Sequence, residues 1–445
     1  MRPGGVCFSV FEYGKSRTER FMSDITKLNA EELAKLRAEL QLRYDEVKAR
    51  GLNLDMTRGK PAPEQLDLAG DMLALPGTGA YRTANGTDAR NYGGLDGIPE
   101  AKKLFAAYME CKEEELIVGG NSSLNMMYDS MTRALQQGVP GGRGPWNQEG
   151  KIKFLCPSPG YDRHFAVCEH LGIEMIVIDM KDDGPDMDSV EKAVQDPAVK
   201  GVWCVPKYSN PTGCVYSDSV VDRFARMKTA APDFRIFWDN AYAAHHLGGG
   251  SAPLKNILRA CEEAGNPDRA LVFGSTSKIS FAGSGVALLA SSRANIESAL
   301  KTLSFQTIGP DKLNQLRHVL FFKDTAGIAA HMDKHAAIIK PKFDLVNEIL
   351  ERDLGGRGAA RWTKPQGGYF VSLDLLDGCA SRAGALAGEA GVKFTKAGAT
   401  FPYGKDPRDV NIRIAPTLPS LEEIKDAMEV LTLCVQLATA EKLSA

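Results

Sequence analysis

Lys278 follows RALVFGSTS, so it stands just past the end of an apolar run, among hydroxyl residues. A lysine so placed can form an imine with an aldehyde if its amine is neutral part of the time. Partial burial and a nearby cation favour that state. Ser275 and Ser277 beside it can donate hydroxyl and backbone N–H groups to a phosphate. Asp239 ends the apolar run FRIFWD and is expected to be poorly solvated, so its carboxylate needs a cationic or hydrogen-bonding partner. A protonated ring nitrogen would serve, and the pairing would keep that ring an electron sink. Tyr242, three residues on, could reach an oxygen of the same ring. Asn210 lies in SNPTG, where Pro211 and Gly213 fix the direction of its amide. Tyr161 closes PSPGY and could stack on a planar ring. The run VGGNSSLNMMYDSM reads as a glycine-rich loop opening a helix, with Gly120, Asn121 and Ser122 offering N–H groups to an anion. Taken singly, each has a commoner role: a surface turn for STSK, a cap for Asp239, a β-turn for NPTG, core packing for Tyr161.

What gathers them is their position. Between about residue 115 and residue 290, short apolar runs alternate with helical stretches. The runs are KIKFLC (151–156), EMIVIDM (174–180), VKGVWCV (199–205), FRIFWD (234–239), RALVFG (269–274) and GVALLA (285–290). Near-continuous apolar strands predict an α/β domain around a mostly parallel sheet. Ligands of such sheets bind beyond the carboxyl ends of the strands, and the polar segments PSPGY, PKYSNPTG, DNAYAAH and STSK all fall there. Upstream, residues 29–50 read as an amphipathic helix with Asn29 and Glu32 as a capping box and Gly51 as its stop. Two Gly- and Pro-rich stretches follow, and long ordered loops are usually functional. From about residue 325 come the helical KHAAIIKPKFDLVNEILERDL, the strand-like GGYFVSLDL and a C-terminal amphipathic helix.

The 445 residues are 43% hydrophobic and 25% charged, as in an ordinary globular protein of one large and one smaller domain. A net charge of −2 gives no electrostatic reason to expect nucleic acid or an anionic membrane as partner. No apolar stretch is long enough to span a bilayer. Nine scattered cysteines without a CxxC pair read as buried thiols of a reducing compartment, and the cytoplasm is expected. Residues 1–22 read as an extension or a disordered arm without signal architecture. Adjacent His245 and His246 lack metal-ligand spacing and read as structural; no metal is expected.

SNPTG, DNAY and STSK, in this order and at these separations, resemble the fold-type-I pyridoxal-phosphate (PLP) enzymes, specifically the class I aminotransferases. TRGKP, NYGGLDGIPEAKKLF and NIRIAPT look closest to a divergent bacterial group of aspartate aminotransferases. The resemblance covers the chain from about Asn53 to the C-terminal helix. It implies an α/β PLP-dependent transferase fold of type I: a large domain with a mostly parallel seven-stranded sheet (71–325), and a smaller α/β domain from 23–70 and 326–445. It implies PLP carried on Lys278 as a Schiff base and a ping-pong amino transfer, with Lys278, Asp239 and Tyr242 catalytic. The cofactor would meet Gly120, Asn121, Ser122, Tyr161, Asn210, Asp239, Tyr242, Ser275, Ser277 and Lys278. Tyr92 would reach the phosphate in the neighbouring subunit of a homodimer. Arg413 matches the arginine that grips the substrate α-carboxylate, a planar group suited to a guanidinium fork; Asn210 and Gly59 would also line the substrate site. An aspartate/2-oxoglutarate enzyme needs a second cation, for which Arg58, Arg90, Arg163 and Lys207 are candidates. Alanine or aromatic substrates, or a C–S lyase outcome, are the alternatives. One departure stands out. The family carries a phosphate-binding arginine about eight residues after the lysine, whereas this chain reads KISFAGSGVALLA, with Ser284 as a neutral substitute at best.

Overall fold

A computed structural model describes residues 24–445; the expectation for residues 1–22 falls outside the described residues. The strands, in chain order, are β1 (Leu54–Asp55), β2 (Leu116–Val118), β3 (Lys153–Ser158), β4 (Glu174–Lys181), β5 (Gly184–Pro185), β6 (Val199–Cys204), β7 (Arg235–Asp239), β8 (Ala270–Ser275), β9 (Ala287–Ser291), β10 (Ala360–Trp362), β11 (Val371–Leu375), β12 (Val392–Lys393) and β13 (Asn411–Ile414). Eight of these form one sheet in the order β2-β9-β8-β7-β6-β3-β4-β5. The five central strands, β8 to β4, pair in parallel. The flank is antiparallel, with β9 opposed to both β8 and β2, and β5 opposed to β4. The expected seven strands are therefore joined by an eighth, β5, whose two residues are too few to carry a periodic signal. Every residue of β6 and β7 is buried. That is why their sequences read as unbroken apolar runs and not as alternation.

The helices that bear on the site are α1 (Ala30–Lys48), α2 (Pro63–Asp67), α3 (Ser123–Gln137), α4 (Asp162–His170), α5 (Thr325–Leu354) and α6 (Leu421–Leu443). The capping box expected at Asn29 forms: its Oδ1 accepts from Glu32 N–H at 3.0 Å, and Glu32 Oε2 accepts from Asn29 N–H at 3.1 Å. Ser420 and Glu423 make the same box at the head of α6. α6 packs against both α1 and α5. Strand β1 pairs in parallel with β12, and β10, β11 and β13 form a second, antiparallel sheet. The N-terminal segment thus shares its core with the C-terminal region: Leu33, Leu40 and Tyr44 pack with Ile349, Leu386 and Leu431. Among the described residues no helix is long and apolar enough to cross a membrane.

The geometry of the large sheet decides where chemistry can happen. Because β3, β6, β7 and β8 run parallel and lie side by side, their carboxyl ends emerge on one edge. Residues far apart in sequence, from Tyr161 to Lys278, are delivered there together.

Candidate active site

Lys278 sits in a turn that closes directly after β8. Thr276 N–H donates to Val286 O at 2.9 Å, and Ile279 and Ser280 N–H both donate to Thr276 O at 2.8 Å. The lysine is half-buried, and its Nζ donates to the Tyr242 hydroxyl at 2.7 Å, 4.2 Å from that ring's centroid. Burial is the main influence that lowers the Lys278 amine from 10.5; Arg413 adds to it, and Tyr161 and Asp239 oppose it. The neutral amine that nucleophilic work requires is therefore favoured. Burial drives the Tyr161 phenol up to about 12 and the Tyr242 phenol higher still, so both remain protonated donors.

Asp239 is 3% exposed at the tip of β7. Its Oδ2 lies 3.0 Å from His164 Nε2, while its Oδ1 has no hydrogen-bond partner among the described residues. His164 belongs to α4 and stacks on Trp203 with ring centroids 4.4 Å apart and planes 10° apart; Tyr161 meets its edge at 4.9 Å. A buried carboxylate oxygen left without a donor is costly unless something supplies one. A protonated ring nitrogen is the group that fits it.

The loop 120–122 precedes α3, and Ser122 is the N-cap residue but spends no side-chain bond on capping. The loop is stitched to the lysine turn: Gly285 N–H donates to Asn121 Oδ1 at 2.7 Å, Ala287 N–H to Gly120 O at 2.7 Å, and Ser277 Oγ to Asn121 O at 3.4 Å. Gly120, Asn121, Ser122, Ser275 and Ser277 are thereby gathered at one helix N-terminus, where anions are favoured. The position eight residues after Lys278 is Val286, 1% exposed, its N–H given to Thr276 Oγ1 at 2.9 Å. Ser284 directs its hydroxyl to Asn314 Oδ1 at 3.3 Å. Among the described residues, the bonds of segments 120–122 and 275–277 run to neutral groups, not to a cationic side chain.

Arg413, on β13, is 7% exposed. Its Nη1 donates to Asp162 Oδ1 at 3.0 Å and to Asn210 Oδ1 at 3.3 Å, and its Nη2 to Thr395 Oγ1 at 3.3 Å. Among the described residues its Nε has no partner, so the buried guanidinium keeps an unpaired N–H. The guanidinium lies 4.8 Å from the Phe370 ring centroid. Gly59 approaches that ring too: a Cβ at Gly59 would come within 2.5 Å of Phe370 Cζ. Thr395 Oγ1 also donates to Thr57 O at 3.0 Å, so the TRGKP segment is tied to the surroundings of Arg413 twice.

The structure therefore brings Lys278, Asp239, Tyr242, Tyr161, Asn210 and Arg413 together, with Gly59 beside them. It leaves Tyr92 apart, 80% exposed in a loop near Lys312. Arg90 is engaged with Asp88 at 2.7 Å, and Arg163 is exposed on α4. Lys207 is buried against Ser251 Oγ at 2.6 Å in a cavity of about 590 Å³ lined also by Glu110 and His246. Sequence reasoning missed His164, Trp203, Phe370 and Thr395; only His164, three residues after Tyr161 in PSPGYDRH, left a local sign. His245, read as merely structural, proves to meet the Lys278 carbonyl, with Nε2 at 3.2 Å.

The model of the aspartate amino-transferase family matches residues 28–445. The chain belongs to that family. It is 46% identical over 413 residues to an aspartate aminotransferase of Corynebacterium glutamicum, spanning 93% of this chain and 96% of that one. A Mycolicibacterium smegmatis relative, 53% identical over 409 residues (91% of this chain, 96% of that one), is named only as an aminotransferase of unstated substrate. The crystal structure of an aspartate transaminase from C. glutamicum superposes with a TM-score of 0.93 at 45% identity, covering 95% of this chain and all of that one. At 20% identity and a TM-score of 0.70, an α-aminoadipate aminotransferase from Thermus thermophilus shares the fold; it was solved with N-(5′-phosphopyridoxyl)-L-leucine. The chain is an aminotransferase, with the class I fold expected from its motifs.

Proposed function

We propose that this aminotransferase moves the amino group of aspartate to 2-oxoglutarate in a ping-pong course, with pyridoxal phosphate held by Lys278. The observation that carries the reading is a lysine amine held 2.7 Å from the Tyr242 hydroxyl at the same strand ends as a buried carboxylate whose Oδ1 lacks a donor, with the unpartnered Nε of Arg413 in the same site. Pyridoxal phosphate, when bound, supplies an aldehyde that condenses with amines and a ring that takes up the electron pair released at the substrate Cα.

The residues divide the work. Lys278 Nζ would hold the cofactor's aldehyde and, when free, would move the substrate Cα proton as base and acid. Asp239 Oδ1 would accept from the ring nitrogen and keep it protonated, with His164 fixing Oδ2. Tyr242 and Asn210 would donate to the ring, and Tyr161 would pack against it. The N–H and hydroxyl groups of Gly120, Asn121, Ser122, Ser275 and Ser277 would receive the phosphate. Arg413 would take the α-carboxylate, with Gly59 beside the substrate. Tyr92, exposed in its own chain, would reach the phosphate of a second subunit in a homodimer.

For the second carboxylate of aspartate we assign Arg58. It is exposed, but it stands between Thr57 and Gly59 in the segment anchored around Arg413, whereas Arg90 is committed to Asp88 and Lys207 to Ser251. The test is a panel of amino acids given to purified holoenzyme, following loss of the visible absorbance of the bound cofactor. Aspartate and glutamate should convert it fastest. Conversion by alanine or tyrosine at an equal rate overturns the aspartate assignment, and no conversion by any amino acid overturns the whole reading.

A further inference from the structure

Two consecutive carbonyls of the lysine turn are held by buried imidazoles. His245 Nε2 meets the Lys278 carbonyl at 3.2 Å, and His331 Nε2 meets the Ile279 carbonyl at 2.8 Å. His335, one turn further along α5, brings its Nε2 within 3.0 Å of His331 Nε2. A ring nitrogen facing a carbonyl must carry the hydrogen, so His245 and His331 are Nε2–H tautomers. On its other side His335 Nδ1 lies 3.0 Å from the Gln65 amide nitrogen.

Gln65, on α2, is fully buried and fully committed. Its Nε2 also donates to the Tyr369 hydroxyl at 3.1 Å, and its Oε1 accepts from Ala62 N–H at 3.0 Å. The Tyr369 ring stands edge-on to His245, with centroids 5.5 Å apart, and Lys278 Nζ lies 5.5 Å from the Tyr369 centroid. The path closes on itself: Lys278 carbonyl, His245, Tyr369, Gln65, His335, His331, Ile279 carbonyl. Burial lowers all three imidazoles, His245 to about 3 and His335 to about 4. They stay neutral at neutral pH and add no charge beside the lysine.

We propose that Gln65, His331 and His335 are positioning residues for Lys278. The inference rests on the role given to Lys278 above. A lysine that holds a carbonyl carbon, leaves it and returns does so on a flexible stem, so the return geometry can be kept only by its backbone. The closed path fixes that backbone from four other chain segments.

The test compares His331→Leu, His335→Leu and the conservative His331→Gln, whose amide nitrogen can occupy the Nε2 position. One readout is kcat against KM for aspartate in the holoenzyme. The other needs no cofactor: the pH midpoint at which the Lys278 amine of the apoprotein is acylated by a small reagent, located by mass spectrometry. The groups that otherwise act on that midpoint, Tyr161, Asp239, Tyr242, His245, Tyr369 and Arg413, are left in place. The leucine variants should lower kcat about tenfold or more with KM changed less than about threefold, and move the midpoint by about 0.5 pH unit or more. His331→Gln should recover most of both losses. Folded leucine variants with unchanged kcat and midpoint overturn the proposal. So does a loss of kcat that follows melting temperature and is not recovered by His331→Gln, because that marks a structural role only. If the leucine variants do not fold, Gln65→Met, which keeps volume and removes the amide, decides on the same two readouts. Failure of the parent enzyme to use aspartate would sink the functional reading, while the acylation midpoints would still stand or fall by themselves.

Discussion

His164 Nε2 and Asp239 Oδ2 lie 3.0 Å apart in full burial, and the carboxylate's second oxygen has no protein donor. The imidazole thus fixes one lone-pair edge of Asp239 and aims the other at the site. Replacing Asp239 with alanine removes the group that keeps a bound ring nitrogen protonated, and kcat should fall by about 10³. His164→Leu leaves Asp239 in place but undirected, and should cost about tenfold in kcat. His164→Gln, which can still offer an N–H to Oδ2, should recover part of it. Steady-state kinetics with aspartate check the series; equal losses for the alanine and leucine variants would show that His164 is no mere support.

Arg413 gives its Nη1 to Asp162 and Asn210 and its Nη2 to Thr395, and its Nε is unpartnered among the described residues. Arg413→Lys keeps the charge and loses the fork, so kcat/KM should drop about 10²-fold, mostly through KM. Asp162→Asn keeps a hydrogen-bond acceptor and weakens only the hold on the guanidinium. Its KM should rise about threefold at most, since the Asp162 side chain is 36% exposed and screened. A KM for Asp162→Asn as high as that for Arg413→Lys would assign the carboxylate contact wrongly.

The parts of this site that were legible beforehand are those set by local pattern. The unbroken runs of β6 and β7 mark central strands because both faces are covered, and the polar residues after β3, β6, β7 and β8 mark site positions because those strands are parallel. Strands β2 and β5, with three and two residues, are too short for a period to show. The contacts Arg413–Thr395, Gly59–Phe370 and Gln65–His335 join segments up to hundreds of residues apart, and no spacing within either segment announces them. His164 stood in plain view after PSPGY, yet a histidine near a strand end is uninformative until Trp203 beneath it and Asp239 beside it are placed.

Gly59 offers a test of the tie between TRGKP and the arginine. A Cβ there would meet Phe370 Cζ at 2.5 Å and Cε1 at 2.8 Å, so Gly59→Ala must displace the ring, which lies 4.8 Å from the Arg413 guanidinium, or move the segment. The variant should lose about 1–3 kcal/mol of stability from overpacking and bind substrate more weakly. Phe370→Leu makes room. The double variant should regain stability lost by the first, a non-additive result read from urea unfolding of the three proteins.

Lys278 links the site to the stability of the apoprotein. Its unfolded amine titrates near 10.5, and burial lowers the folded one. At pH values between those two midpoints the unfolded chain holds a proton that the folded chain has lost. Unfolding then takes up a proton, so raising the pH makes unfolding harder and stability increases with pH across that window. Below the folded midpoint both states are protonated and this contribution to the slope disappears. Lys278→Met, similar in volume and without the amine, should flatten the slope. Urea unfolding of cofactor-free parent and variant, at a series of pH values up to that of free lysine, measures the difference. Parallel curves for the two proteins would mean that the amine is as well solvated as in the unfolded chain, and the reason given for its reactivity would be wrong.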